Sequence, residues 1–338
     1  MYMISKKEIW FWHSCFASLH LWNSLVAKRF FFYTANNPSM FYSGAFLNNK
    51  SELLGKLNPS IVPKGFSHIG RVEKLPKEMD FPVIAKPEMG VTGLAIKKCN
   101  NLLELNAYMS IACNESIRIE SYVDRAMEFG VMFYYYPVTG KSEVSIIEKR
   151  YPRVIGDGQS TLEKLIDNTA LKNQFIRRDE IKRSFDRSLD KVLEKGEVVV
   201  LDYVGNASNG SSFHRINVPT DNSKIKRFLV EHLYAQASIC FTRLDIKANS
   251  LNDLLNCDFL IIEHNGVKSE PLNIFIKDAT LISRYRAYKH HWRSMRLISE
   301  EQRALGHQTI SFNEGIREFF KQRKKLKNIS AVMSIEKE

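Results

Sequence analysis

Two short motifs place acidic and amide side chains at the ends of strongly apolar segments. The first is Arg243-Leu-Asp245 and the second is Glu263-His-Asn265. Residues two apart on a strand point to the same face, so oxygens of Glu263 and Asn265 can reach one point, and Asp245 can join them from a neighbouring strand. Such hard oxygen donors suit Mg²⁺, with Mn²⁺ as a substitute. Arg243 shares the face of Asp245 and could meet phosphoryl oxygens; a structural salt bridge among these groups is the alternative.

A lysine and a glycine turn upstream are suited to phosphate. Lys86 ends an apolar strand, and Gly90 and Gly93 follow it closely. A cation beside a flexible glycine turn can grip phosphate oxygens through its charge and through backbone N–H groups. The run Thr139-Gly-Lys-Ser142 imitates the end of a Walker A loop, but Tyr135 stands where that motif has its first glycine. We interpret that run as the tip of a β-hairpin.

More charged side chains follow in a definite order. Glu120 lies in a strand-like segment, Glu128 comes just after it, and Lys149 closes the next strand. Each alone could be an ordinary surface charge. The complete order is a lysine, a glycine turn, an acidic hinge, a second lysine, then an Asp and a Glu-x-Asn pair. This order resembles the ATP-grasp superfamily over roughly residues 50–273, in particular D-alanine–D-alanine ligases and the ligase half of cyanophycin synthetase.

The resemblance implies a role for each matching residue. The residues it assigns to ATP are Lys50 and Lys86 on the phosphates, Glu120, Ser121, Tyr122 and Val123 at the adenine, Glu128 at the ribose and Lys149 at the γ-phosphate. Those it assigns to the metal are Asp245, Glu263 and Asn265, with Arg243 steadying the acyl phosphate and the tetrahedral intermediate. Asn206, Ser208 and Arg215 lie in stretches that resemble loops bordering the cyanophycin synthetase site, and they are expected on the substrate side.

The activity that the resemblance implies is an ATP- and Mg-dependent ligase that joins a carboxylate to an amine through an acyl phosphate and releases ADP and phosphate. Amino acids or peptide-like compounds are the expected substrates. A kinase-like phosphotransferase and a non-catalytic ATP-binding module at a membrane are the alternatives. The resemblance does not extend to the substrate site of the dipeptide ligases. Only a short segment is expected before Lys86 where those ligases have a full first lobe, and Glu88-Met89 stands where they have serines.

Strand-like segments alternate with helices and hairpins, which favours an α+β fold over a doubly wound parallel sheet. We expect an aromatic helical region with a short segment before the ATP-grasp domain (1–49), an ATP-grasp domain with lobes of about 50–125 and 126–280 (50–280), and a basic helical C-terminal segment (281–338). The run Ser160-Thr-Leu-Glu163 has the form of a capping box that starts a helix reaching Asn168. Residues Lys172–Glu194 are expected to form one or two charged helices.

Composition narrows the classes further. The 338 residues are 44% hydrophobic and 25% charged, which is typical of a globular protein. Five scattered cysteines with no Cys-x-x-Cys pair favour a reducing cytoplasm over a disulfide framework or a structural zinc site. Polar residues spread around the aromatic helix argue against a membrane span. This helix is expected to pack on the catalytic body, or else to lie at a membrane interface with Lys28 and Arg29 at its end.

The net charge of +12 is concentrated partly at the C-terminal end, where Lys and Arg outnumber the acids. We interpret this charge as a solvated helix face, with contact to nucleic acid or anionic lipid as the alternative. The basic residues lack the interleaved aromatics of a nucleic-acid recognition motif. No nucleic-acid partner is therefore expected. A homodimer is left open.

Overall fold

The computed structural model describes residues 6–46, 48–90, 95–112, 114–168, 181, 188–203, 205, 210–219 and 222–333. The helices are α1 (Lys6–Ala27), α2 (Lys50–Gly55), α3 (Leu102–Ala112), α4 (Leu162–Asp167), α5 (Ser223–Leu229), α6 (Leu251–Leu255), α7 (Leu281–Ala304) and α8 (Phe312–Met333). The strands are β1 (Gly65–His68), β2 (Val83–Pro87), β3 (Lys97–Cys99), β4 (Ile117–Ser121), β5 (Met127–Tyr135), β6 (Ser142–Arg150), β7 (Arg153–Ile155), β8 (Val198–Val200), β9 (Ser212–Arg215), β10 (Phe241–Ala248) and β11 (Leu260–His264). The predicted α+β class is confirmed.

Two antiparallel sheets form the body of the protein. The smaller has the strand order β1-β4-β2-β3, and the larger has the order β11-β10-β5-β6-β9. Strands β7 and β8 form a separate ribbon. Because β4 ends at Ser121 and β5 begins at Met127, consecutive parts of the chain build the two sheets. The division of the whole chain into three regions stays a prediction.

The larger sheet is covered on both faces, which explains the continuous apolar run of β5. Phe129, Val131 and Phe133 pack with Ile225 and Leu229 of α5 in one core. The alternate side chains of β5 point to the opposite face, where Met132 and Tyr134 pack with Met295 of α7. A strand that is buried on both faces has no polar side to alternate with its apolar one. In the smaller sheet, Val83 and Ile119 pack on Leu105 and Met109 of α3.

A buried asparagine ties the N-terminal segment to the larger sheet. The side-chain oxygen of Asn37 accepts hydrogen bonds from the backbone N–H groups of Cys240 and Phe241, both at 2.9 Å. The Asn37 amide nitrogen donates to the carbonyl of Phe241 at 2.8 Å and to that of Ser43 at 3.1 Å. Gly44 then packs against Gly266, where a Cβ atom on Gly44 would lie 2.9 Å from the Gly266 Cα. The N-terminal segment thus fixes the loop that follows Asn265.

Helix α4 begins one residue later than the capping-box pattern predicts. The N-cap is Thr161, whose hydroxyl accepts a hydrogen bond from the Lys164 N–H at 3.3 Å. The Ser160 assignment is therefore wrong by one position. Ser160 is engaged elsewhere, since its N–H donates to Asp157 at 2.6 Å, and adjacent hydroxyl residues are equally good cap formers by sequence.

Much of the predicted helical stretch Lys172–Glu194 lies outside the described residues. Its last part, residues 188–194, is not helical, and Val192 instead forms an antiparallel bridge with Thr161. Leu189 and Leu193 stand four residues apart, which is typical of a helix face. Here both enter a small core with Val154 from a non-helical segment. Backbone hydrogen bonds from Leu162 and Glu163, at the start of α4, hold this segment in place.

The aromatic N-terminal segment is helical, as predicted, and α1 packs on α7. Among the described residues, no helix combines the length and the apolar content that crossing a membrane requires.

Candidate active site

One face of the larger sheet collects charged side chains from three neighbouring strands. On β10, Arg243, Asp245 and Lys247 stand two apart and so share a face. The β5 register places Glu128 opposite Lys247, and the β6 register places Lys149 opposite Glu128. Strand alternation and sheet register together bring these groups to one patch.

Lys149 lies at the centre of the patch between two carboxylates. Its Nζ donates to Glu128 Oε1 at 2.9 Å and to Asp245 Oδ2 at 2.8 Å, and all three side chains are buried. Burial opposes the charged ammonium, but Asp245 and Glu128 outweigh it, so the pKa of Lys149 is raised. The other oxygen of Glu128 accepts a hydrogen bond from the Tyr151 hydroxyl at 2.5 Å. The ammonium is therefore held rigidly at a defined position.

Gly130 leaves room for Leu272 beside this patch. It lies opposite Asp245 on β5. A Cβ atom there would lie 2.1 Å from Leu272 Cδ1 and 3.4 Å from Lys149 Cε. Any side chain at position 130 would collide with Leu272, so a larger residue there requires Leu272 to move.

Asp245 links the lysine to an arginine and to a second carboxylate. Arg243 Nε donates to Asp245 Oδ1 at 3.2 Å. Burial raises the pKa of Asp245, but Arg243 and Lys149 outweigh burial and lower it to about 2, so the group is ionised at neutral pH. Glu263 lies opposite Asp245 in the β10–β11 register, so the two carboxyl groups face each other on neighbouring strands. Asp245 thus takes part in the salt bridge that the sequence left open as an alternative.

The donors at this point suit a hard cation. Both oxygens of Asp245 already have a cation beside them, and Glu263 adds a second carboxyl group on the same face. Asn265 is buried beside them, its backbone N–H donates to the Arg243 carbonyl at 3.1 Å, and its amide nitrogen has no partner in the described part of the chain. Exchanging amide nitrogen and oxygen by a flip would present an oxygen donor at that position. Asp245, Glu263 and Asn265 therefore fit Mg²⁺ as a partial ligand set that waters and phosphates would complete.

No cluster of three His, Cys, Asp or Glu side chains occurs within the described ranges, so the mixed set above is the arrangement on which a metal proposal rests. His264, between Glu263 and Asn265 in sequence, does not belong to it. Burial lowers the pKa of His264 to about 3, and both ring nitrogens lack partners among the described residues. Alternation along β11 turns this ring away from the face that carries Glu263.

The smaller sheet contributes a second buried lysine. Lys86 Nζ donates to Glu120 Oε1 at 2.5 Å, and Arg118 donates to the other oxygen of Glu120 at 2.7 Å. The same ammonium donates to the carbonyl of Ile262 on β11 at 3.3 Å. Lys86 therefore bridges the two sheets next to Glu263.

Lys50 approaches the same crevice from the start of α2. Its Nζ donates to the Pro87 carbonyl at 2.8 Å. Burial is the main cause that lowers the pKa of Lys50 to about 8. The carboxylate of Glu263 opposes this shift, and the ammonium of Lys86 adds to it. These interactions place Lys50, Lys86 and Glu263 around one space between the sheets.

Glu88, one of the residues by which the chain departs from the dipeptide ligases, anchors α2. Its carboxylate accepts hydrogen bonds from the Ser51 N–H at 2.9 Å, from the Ser51 hydroxyl and from the Ser67 hydroxyl at 2.6 Å. A buried carboxylate with several donors at a helix start is well compensated. Glu88 therefore positions Lys50.

The remaining predicted site residues are placed as follows. The backbone N–H groups of Ser121 and Tyr122 donate to the carbonyls of Lys64 at 2.9 Å and Pro82 at 3.1 Å, and Val123 is buried beside them. Arg215 is exposed on the edge strand β9, opposite Ile147. Asn206, Ser208 and Gly93 lie outside the described residues. All the assigned ligand roles remain predictions.

Lys247 and Arg118 are site residues that the sequence reasoning missed. Lys247 Nζ lies 5.0 Å from the ring centre of Tyr151 and 5.8 Å from that of Tyr122, and burial lowers the pKa of Lys247. Its position two residues after Asp245 was a usable signal, because alternation puts it on the same face. Arg118 stands two residues before Glu120 in the same way.

No family model and no curated protein matches the chain. It is similar to the solved structure of a D-alanine–D-alanine ligase from Bacillus anthracis, with 14% identity, a TM-score of 0.43, and coverage of 76% of this chain and 67% of that one. For the VanG D-Ala:D-Ser ligase from Enterococcus faecalis the identity is 11%, the TM-score 0.38 and the coverage 70% and 57%. For a bifunctional glutathione synthetase from Pasteurella multocida the values are 15%, 0.34, 71% and 34%.

The chain thus spans about a third of the synthetase's length and a little over half of the VanG ligase's length. Because all three TM-scores lie below 0.5, these similarities carry no argument about activity or substrates.

Proposed function

We propose that the protein is an ATP- and magnesium-dependent ligase that joins a carboxylate to an amine and releases ADP and phosphate. The observation that carries the proposal is the convergence of charged groups from two separate sheets. Lys86, held by Glu120, faces β11 from one sheet, and Lys149 lies beside Asp245 on the other. Buried cations that face a pair of carboxylates across a crevice are suited to a nucleoside triphosphate with its metal.

The division of labour follows from the contacts. Mg²⁺ held by Asp245, Glu263 and Asn265 would neutralise charge on the phosphate oxygens. We assign Lys86 and Lys149 to those oxygens; because carboxylates already fix both ammonium groups, little reorganisation is needed. Arg243 donates to Asp245 through Nε, and we assign its terminal N–H groups to the acyl and phosphoryl oxygens.

Product analysis tests the proposal. The reaction consumes ATP, a carboxylate and an amine, and it yields an amide, ADP and phosphate. We expect steady ADP release from a mixture of amino acids and peptides with Mg²⁺ only when a carboxylate and an amine are both present. ADP formation with a phosphorylated product and no amine requirement would support the kinase-like alternative. Absence of ATP binding would rule out both.

A specific surface favours membrane contact as a second, compatible property. The outward face of α1 exposes Trp22 by 65% and Leu25 by 72%, although its other face packs on α7. The ring of Phe30 lies 5.5 Å from that of Phe312, which begins α8 and is 57% exposed. Phe320, further along α8, is 61% exposed. Exposed apolar side chains of α1 and α8 are thus linked through the contact between Phe30 and Phe312, and we call this set the aromatic surface.

Basic residues border this aromatic surface. Lys28 and Arg29 follow α1, and Arg317 and Lys321 lie on α8; all four are exposed. Aromatic and aliphatic side chains flanked by cations are the composition of helices that lie in the interface of an anionic bilayer. We propose that this surface binds anionic membranes.

Flotation with lipid vesicles tests the membrane proposal. We expect the protein to float with phosphatidylcholine vesicles that contain phosphatidylglycerol and to remain unbound with phosphatidylcholine alone. Trp22→Ser and Leu25→Ser are each expected to weaken binding several-fold, by loss of buried apolar area. Leu103→Ser is the matched control, since Leu103 is 82% exposed on α3. Equal flotation of all variants would refute a membrane partner. Variants that float as the wild type does but no longer self-associate would also refute it, and would indicate that this surface forms a homodimer.

A further inference from the structure

A cavity of about 290 Å³ lies next to the candidate active site. Along β10, the face that carries Asp245 and Arg243 continues to Phe241, whose ring centre lies 5.0 Å from that of His291, a residue of the cavity wall. The cavity is therefore one step further along the same row of side chains. Its walls come from α1, the segment after it, the loop after β11, and α7.

The cavity is aromatic on its inner side. Phe16, Tyr33, Tyr288 and Trp292 line it, and the rings of Phe16 and Tyr288 lie 4.7 Å apart. The volume is near the lower end of the range for small-molecule sites, about 300 Å³, which suits a ligand no larger than one amino acid. Aromatic walls of this kind favour an apolar ligand, because its binding removes apolar surface of both ligand and wall from water.

The formal charges of the wall are at its active-site end. Lys268 and Glu270 lie in the loop that follows Asn265, and both line the cavity. Arg243 interacts electrostatically with Glu270, and Lys268 interacts with Glu263 and Arg243. The charged end of the cavity thus meets the groups that we assign to phosphoryl and acyl transfer.

Two aromatic residues of the wall, His291 and Tyr288, carry polar groups that are neutral and hydrogen-bonded. His291 Nδ1 pairs with the Tyr134 hydroxyl at 3.1 Å, and burial lowers the pKa of His291 to about 3, so its ring is neutral. The Tyr288 hydroxyl donates to Glu270 at 3.5 Å, and burial raises the pKa of Tyr288, so it stays protonated. These two residues orient the wall, while Lys268 and Glu270 supply one charge of each sign.

We propose that this cavity binds the amine substrate, and that this substrate is an α-amino acid with an aromatic or large apolar side chain. The side chain occupies the aromatic interior, the ammonium faces Glu270 and the carboxylate faces Lys268. A simple anion of the same shape would meet Glu270 unfavourably, and glycine would leave the aromatic walls without a partner. The role of this amino acid as a substrate rests on the proposed ligase function, but its binding to the cavity is testable without ATP.

Titration calorimetry with the full chain in the absence of ATP tests the cavity. The probes are phenylalanine (both enantiomers), glycine and 3-phenylpropanoate, which lacks the ammonium group. We expect at least one enantiomer of phenylalanine to bind on the order of 10-fold or more tightly than glycine and than 3-phenylpropanoate. Glu270→Gln should bring the ratio between phenylalanine and 3-phenylpropanoate close to one. Glu300→Gln, on the same helix as Tyr288 but outside the cavity, should leave that ratio unchanged.

Two results would overturn the assignment. One is equal affinity for glycine and phenylalanine, and the other is an unchanged ratio in the Glu270→Gln variant. Circular dichroism checks the fold of each variant. Lys268→Met gives an independent second readout, since it should weaken the binding of phenylalanine but not that of phenethylamine. ATP binding is measured separately with Mg²⁺. If ATP binds and no amino acid does, the cavity inference fails and the ligase proposal stands. If phenylalanine binds and ATP does not, the cavity binds amino acids but the ligase proposal fails.

Discussion

Replacing Glu263 by glutamine is expected to reduce ATP turnover by on the order of 10²- to 10³-fold, the size of effect seen when one group that stabilises transition-state charge is removed. Glu263 lies opposite Asp245 in the sheet and is only half-buried. Glutamine keeps its size and removes the negative charge that we assign to Mg²⁺. The unfolding free energy should stay within about 0.5 kcal/mol of the wild-type value, because no buried ion pair is broken.

ADP release measured over a range of Mg²⁺ concentrations checks this result. The variant should need more Mg²⁺ for half-maximal turnover, which a purely structural role of Glu263 would not produce. Glu231→Gln changes an exposed carboxylate outside the site; it is the control and should behave as wild type. Full turnover of the Glu263 variant at low Mg²⁺ would contradict the metal assignment.

Replacing Lys149 by methionine is expected to remove ATP turnover and to destabilise the fold by about 3–5 kcal/mol. Lys149 is the shared cation of Glu128 and Asp245, at 2.9 and 2.8 Å, and all three side chains are buried. Methionine has a similar length and leaves both carboxylates buried without this partner. Chemical denaturation monitored by circular dichroism measures the loss. Lys141→Met is the matched control, since Lys141 pairs with Glu143 at the surface, where an ion pair contributes at most about 1 kcal/mol.

The pH dependence of this loss identifies its cause. In the wild type the pKa of Asp245 is lowered to about 2, so its ionisation stabilises the fold above its unfolded pKa of 3.8, and this contribution is lost as the pH falls through about 2. Without Lys149, one of the two cations that lower the pKa of Asp245 is gone, so that pKa rises. The difference in stability between variant and wild type should then be large at pH 7 and smaller near pH 4. An equal difference at both values would show that packing, not charge, is responsible.

Several parts of the site follow from local rules that a sequence carries by itself. Alternation along β10 places Arg243 and Asp245 on one face, and the structure pairs them. The hairpin between β5 and β6 is confirmed, with Gly140 at a φ of 68° in its turn. Both depend only on neighbours in the chain, which is why residue order suffices. The same alternation places Lys247, two residues after Asp245, on this face.

Other parts depend on which strands pair and in what register, which no local pattern specifies. Lys149 reaches Asp245 because β5 lies between β6 and β10 in the sheet. Likewise, nothing in the order of residues shows that Glu88 anchors α2 or that Lys86 reaches the carbonyl of Ile262 in another sheet.

By itself the sequence determined the α+β class, the aromatic first helix and the order of charged residues, because these depend on periodicity and composition. The tertiary structure decided how Asp245 is shared among Arg243, Lys149 and Glu263, and it placed α1 against α7 so that an aromatic cavity forms beside Arg243. These arrangements arise from contacts between residues far apart in the chain, where sheet register and the packing of layers select the partner.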